Sequence, residues 1–173
     1  MTALKIRIAL FVLAAGLVLG CGKSGEEAAK NDTNSSALSA PEFIVTSYTG
    51  EETYSLDGYK GKVLILDFWA TWCGPCKREI PHFNQLYAKY KDEGLEILGV
   101  SLDEQGPGAV ERFVASIPID YGNAMANREV VTAYGPISAI PTTFVIDRKG
   151  RVQRRFVGYQ DVSVFEEVLQ QLL

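Results

Sequence analysis

From residue 43 to the end, short apolar runs alternate with segments of helical period. Val63-Leu64-Ile65-Leu66-Asp67-Phe68-Trp69 is apolar at every position but one, the pattern of a strand buried on both faces. Leu95 to Leu102, bounded by Gly94, is a second such run. Between them, Lys77 to Tyr90 places Ile80, Phe83, Leu86, Tyr87 and Tyr90 on one face, which predicts a helix that Pro81 should kink. Val110 to Ser116 and Arg128 to Tyr134 read as shorter helices, with Ile119-Asp120-Tyr121 as a short strand between them. Thr142 to Ile146 and Arg151 to Val157 read as a hairpin around Asp147-Arg148-Lys149-Gly150. Val162, Phe165, Val168, Leu169 and Leu172 form the apolar face of a closing helix. Ahead of all these, Phe43 to Ser47 and Glu52 to Ser55 read as short strands around Thr49-Gly50. The order predicts an α/β domain: a central mixed sheet flanked by helices.

The first 40 residues follow another pattern. Lys5 and Arg7 precede the apolar run Ile8 to Gly20, which is shorter than the ~20 residues a membrane span needs and suits a secretory signal. Val18-Leu19-Gly20-Cys21 resembles the bacterial lipoprotein signal, which implies cleavage before Cys21 and acylation of its thiol. The alternative is an ordinary signal, or an uncleaved anchor, that happens to meet a cysteine. Gly22 to Ala40 has one Leu and no aromatic residue, too little apolar surface to offset its ordering entropy. Residues 21–40 are therefore expected to be a lipidated tether with a reach of roughly 25 Å, and 41–173 a single domain. Removing the signal takes Lys5 and Arg7 with it, so the formal charge moves from −4 to −6. An acidic chain with no Lys/Arg cluster argues against nucleic acid as a partner.

The candidate chemistry is Trp72-Cys73-Gly74-Pro75-Cys76, between the first buried run and the helix after it. Two thiols three apart at a strand-to-helix junction suit dithiol–disulfide exchange. The first should sit at the positive end of the helix, where a thiolate is stabilised and its pKa lowered. The second lies one turn on, in reach of a mixed disulfide made by the first. A structural zinc site needs four ligands, and there is no second Cys-x-x-Cys; His82 is the only histidine. Covalent haem attachment wants His where Lys77 stands. A purely structural disulfide gains little from so short a loop. With Cys21 assigned to lipid, Cys73 and Cys76 form the remaining pair. No cofactor beyond that disulfide and no metal is called for.

The stretch Asp67-Phe68-Trp69-Ala70-Thr71-Trp72-Cys73-Gly74-Pro75-Cys76, followed by Pro81, resembles thioredoxin. Together with the lipoprotein start, Tyr59-Lys60-Gly61-Lys62 and the longer middle, it resembles the TlpA/ResA family of membrane-anchored thioredoxin-like reductases over Phe43 to Leu173. The resemblance implies a thioredoxin fold with an N-terminal β extension and a central helix–strand insert at about Asp103 to Asn123. It makes Ile140-Pro141-Thr142 the cis-proline stretch facing the disulfide, with the Ile140 backbone open to an extended client. Gly158 becomes a second wall of that groove, where a backbone passing close to a ligand wants no side chain, and Trp72 belongs to the same surface. Asp67 matches the buried carboxylate of thioredoxins, and Glu79 a glutamate beneath the site in the ResA branch. Either could take the proton of Cys76, and the division of labour between them stays open. Without the resemblance, Glu79 reads equally well as a solvated helix residue beside Lys77 and Arg78, and His82 as an exposed one.

The expected function is extracytoplasmic disulfide reduction on the periplasmic face, by a lipid-anchored monomer. As partners the resemblance implies disulfide-bearing clients, such as apocytochromes c, and a membrane thiol-electron donor. The Gly-Pro between the cysteines leans toward the reducing end, near about −270 mV for thioredoxin. A disulfide-forming oxidase, a thiol peroxidase and a copper-delivery protein are the competing readings. The peroxidase would place its cysteine in another motif, and the copper carrier would want a histidine after His82.

Overall fold

The structure, a computed structural model, describes residues 38–173. The expected signal 1–20, Cys21 and all but the last three residues of the expected tether lie outside them. Packing begins slightly before Pro41. Ser39 bridges Arg151, the Ala40 N–H donates to the Gly150 carbonyl at 2.8 Å, and Ala40 is buried.

A five-stranded sheet has the order β5-β4-β3-β6-β7, from β3 (Val63–Trp69), β4 (Leu95–Ser101), β5 (Gly122–Met125), β6 (Thr142–Ile146) and β7 (Val152–Val157). β3 runs parallel to β4 and antiparallel to β6, and β6 and β7 form the expected hairpin. Helices α1 (Gly74–Tyr90) and α4 (Val162–Leu172) cover one face, while α3 (Arg128–Tyr134) packs on the other. The extension is a two-stranded ribbon, β1 (Ile44–Thr46) with β2 (Thr53–Ser55), and α2 (Pro107–Val114) with β5 supplies the insert. This is a thioredoxin-type fold. Among the described residues no helix is long and apolar enough to cross a membrane.

All seven residues of β3 are buried because both of its faces are covered. Leu64, Leu66 and Phe68 meet Phe43, Val45, Tyr134 and Phe144. Val63 and Ile65 meet Phe83 and Leu86 of α1 and Phe165 and Leu169 of α4. Period-two alternation therefore sends Asp67, between Ile65 and Trp69, to the α1 side.

Both elements of the insert differ from expectation. The short strand is Gly122–Met125 rather than Ile119-Asp120-Tyr121. The earlier residues are held by α1: the Asp120 N–H donates to Asn84 Oδ1 at 3.0 Å, and Tyr121 packs edge-on to Phe83. Pairing with β4 starts only at Gly122, where a Cβ would already touch Leu98 and Tyr54 at 3.4 Å. The helix α2 starts at Pro107, ahead of Val110, because proline's missing N–H costs nothing in a first helical turn.

Phe83 holds α1 to the sheet, with no exposure and edge-to-face contacts to Phe165 (5.0 Å) and Tyr121 (6.2 Å). Phe83→Ala should lower unfolding free energy by about 3–5 kcal/mol in denaturant titration. A loss below about 1 kcal/mol would mean α1 is seated by other contacts.

Candidate active site

The chain leaves β3 at Trp69, turns through Ala70 to Trp72 and enters α1 at Gly74, three residues before the expected start. Cys73 is the N-cap. Its Sγ accepts from the Cys76 N–H at 3.2 Å, and its carbonyl accepts from the Lys77 N–H at 3.1 Å. Cys73 and Cys76 are joined by a disulfide, with Cα atoms 5.3 Å apart. The first sulfur thus occupies the position where a helix N-terminus stabilises a thiolate.

The expected groove residues come together around that sulfur. The Ile140-Pro141 bond is cis, and the Ile140 carbonyl oxygen lies 3.7 Å from Cys73 Sγ. The Gly158 N–H donates to the Pro141 carbonyl at 2.8 Å, tying the end of β7 to the same stretch. Trp72, beside Cys73 in the chain, is 65 % exposed, and Val157, opposite Thr142 in the sheet, is 50 % exposed. Cys73 itself is only 4 % exposed, packed with Trp69, Val110 and Ile140. Gly158 has φ +82°, a backbone conformation that favours glycine, and a Cβ there would meet no protein atom within 4 Å.

Both acids are buried, Asp67 with 3 % and Glu79 with 1 % exposure, so Glu79 is no solvated helix residue. It lies one turn beyond Cys76 and points inward on the face that carries Ile80 and Phe83. Asp67 Oδ1 accepts from Thr143 Oγ1 at 2.9 Å. Glu79 Oε1 accepts from the Gln160 N–H at 3.3 Å, and its Oε2 meets no protein donor. Desolvation raises both carboxyls, Asp67 to about 7 and Glu79 to about 8. The charge of Asp67 adds to the rise at Glu79, so the titration belongs to the pair.

Several supporting residues escaped sequence reading. Asp103, at the end of β4, accepts from Thr71 N–H at 2.9 Å, Thr71 Oγ1 at 2.6 Å and Ser101 Oγ at 2.8 Å. It anchors the loop that delivers Cys73. Trp69 Nε1 donates to Asn123 Oδ1 at 3.0 Å. His82 is half-buried against Tyr159, with ring centroids 6.0 Å apart, rather than exposed. Apart from the local Ser101–Asp103 bond, these contacts join residues 32 to 77 positions apart, and no local motif announces them. Among the described residues no three His, Cys, Asp or Glu side chains cluster as metal ligands.

Comparison with known proteins adds four findings. The AhpC/TSA family pattern matches residues 37–155. Thiol-disulfide oxidoreductase ResA of Bacillus thuringiensis subsp. konkukian is 39 % identical over 134 residues, covering 77 % of this chain and 76 % of that protein. The ResA of Bacillus subtilis is 32 % identical over 142 residues, covering 82 % and 78 %. The crystal structure of a thiol:disulfide interchange protein of the thioredoxin family from Chlorobium tepidum superimposes with a TM-score of 0.72. It is 32 % identical and covers 79 % of this chain and 96 % of its own.

The buried acids make stability depend on pH. Both native values lie above the ordinary carboxylate range near 4, so between about pH 4 and 8 the native state holds more protons than the unfolded one. Stability is therefore lost as pH rises through that window. Asp67→Asn and Glu79→Gln should each be more stable than the parent protein in denaturant titrations at pH 8, with the gain shrinking toward pH 4. A gain independent of pH would assign it to packing instead.

Proposed function

We propose, since the chain belongs to the AhpC/TSA family and is one of its ResA-like thiol-disulfide oxidoreductases, that it works mainly as a reductant of disulfides in exported client proteins. The observation that carries this reading is the seating of Cys73 Sγ at the α1 N-terminus, with the Ile140 carbonyl 3.7 Å away. The helix end favours the attacking thiolate, and the groove presents backbone to an extended client.

In the reduced protein the Cys73 thiolate attacks a client disulfide. One client sulfur becomes bonded to Cys73, and the other leaves as a thiolate that takes a proton from solvent. Cys76 then gives its proton to the buried carboxylate pair, Asp67 and Glu79, and attacks Cys73 Sγ. The Cys73–client bond breaks, the second client sulfur leaves as a thiolate, and the Cys73–Cys76 disulfide forms. The client gains two electrons and the dithiol loses two. A membrane thiol-electron donor restores the dithiol. Trp72, Ile140, Pro141 and Gly158 hold the client.

Location outside the cytoplasm rests on the signal-like start and the Val18-Leu19-Gly20-Cys21 sequence. In this reading acylated Cys21 tethers a monomer to the membrane and 21–40 spaces it from the surface. Apocytochromes c are one class of exported client with the required cysteines.

Reductase and oxidase readings separate by potential. The Cys73–Cys76 couple should equilibrate with glutathione or dithiothreitol nearer to about −270 mV than to about −120 mV, the thioredoxin and strong-oxidant ends of the scale. A value at the upper end would reverse the direction. Cys76→Ala should trap Cys73–client mixed disulfides that a thiol reductant releases. Trapping through Cys76 in a Cys73→Ala protein, and not the reverse, would exchange the two roles.

A further inference from the structure

A chain of hydrogen bonds runs from the client groove to Glu79. The Gly158 N–H donates to the Pro141 carbonyl (2.8 Å), Gln160 Nε2 donates to the Gly158 carbonyl (3.2 Å), and the Gln160 N–H donates to Glu79 Oε1 (3.3 Å). Tyr159, in the middle of this turn, is fastened to the outside of α1. The Arg78 guanidinium lies over its ring at 5.3 Å from the centroid. On the next turn of the helix the His82 ring packs at 6.0 Å, with Nδ1 3.5 Å from the Tyr159 hydroxyl. Arg78 and His82 are four residues apart and share a helix face, while Glu79 points inward beneath them.

We propose that Tyr159, clasped by Arg78 and His82, is a positioning residue that holds the Gln160 N–H on Glu79 and so ties the groove wall to the proton acceptor. The inference rests on the proton-accepting role given to Glu79 above. The acceptor must be a carboxylate when Cys76 gives up its proton, and the Gln160 N–H is the protein donor that favours the charged form. Burial opposes that form, and so does the charge of Asp67 on β3. Tyr121, from the segment before β5, lies in the same electrostatic neighbourhood. On the outer side, Arg78 and His82 are occupied by the Tyr159 ring, and Asp161 caps α4 through Ser163.

Removing the ring frees the turn and takes the donor off Glu79. The carboxylate then persists only at higher pH, so the resolving step needs more alkaline solution. First attack by Cys73 passes no proton to Glu79, so its own pH dependence stays as it is.

The test is stopped-flow kinetics of resolution across pH 6 to 9, using a mixed disulfide between Cys73 and a cysteine peptide. Tyr159→Ala should move the rising limb upward by about one pH unit, equivalent to roughly tenfold slower resolution at neutral pH. Tyr159→Phe keeps the ring under Arg78 and should stay near the parent curve. Arg78→Gln leaves the ring in place without its cation and should move the limb in the same direction by less. In a Glu79→Gln background Tyr159→Ala should add no further displacement. An unmoved limb in Tyr159→Ala, with Glu79→Gln still slow, overturns the positioning role alone. So does a displacement that persists without Glu79. Normal resolution in Glu79→Gln itself overturns both this inference and the proton-accepting role beneath it.

Discussion

Two carboxyl groups held out of water behind one disulfide are the constraint on which the rest of this structure turns. A buried carboxylate is costly, and the fold offsets that cost only in part: one hydroxyl donor for Asp67, one backbone donor for Glu79. The unmet remainder appears as raised proton affinity in both acids. A base that is poor in water thereby becomes able to take a thiol proton near neutral pH. The strain on stability and the proposed chemistry are the same free energy seen from two sides.

The surrounding architecture keeps that arrangement closed. β3 brings Asp67 to the α1 side because Val63 and Ile65 must face α1 and α4. Phe83, wedged between Phe165 and Tyr121, fixes the helix that carries Cys73 at its cap, Cys76 in its first turn and Glu79 one turn further. Asp103 fastens the loop between strand and helix, so the N-terminus of α1 stays aimed at the Ile140 carbonyl. The turn after β7 completes the enclosure from the groove side.

Local chemistry and short-range period were legible in the sequence. The Cys73/Cys76 spacing, the buried runs of β3 and β4, the β6–β7 hairpin and the apolar face of α4 are all encoded within a few residues. Asp67 was legible because a lone acid in an apolar run has no solvated face to use. Glu79 was not decidable from its neighbours: Lys77 and Arg78 suggest a wet surface, and only the packing of α1 turns the next residue inward. β5 was misplaced because Gly122-Asn123-Ala124-Met125 lacks β-branched residues and is a strand only through its pairing with β4. Asp103, Asn123, Tyr159 and Gln160 act across long stretches of chain, where period and motif carry no signal.

The central claim is that a buried carboxyl receives the proton of Cys76 as the mixed disulfide resolves. Time-resolved infrared difference spectroscopy of that single step reads it directly, since a protonated carboxyl absorbs apart from a carboxylate and shifts in heavy water. At neutral pH the account predicts a protonated-carboxyl band rising with the rate of resolution, diminished in Glu79→Gln or Asp67→Asn. Resolution at full speed with no change in any carboxyl band would contradict it.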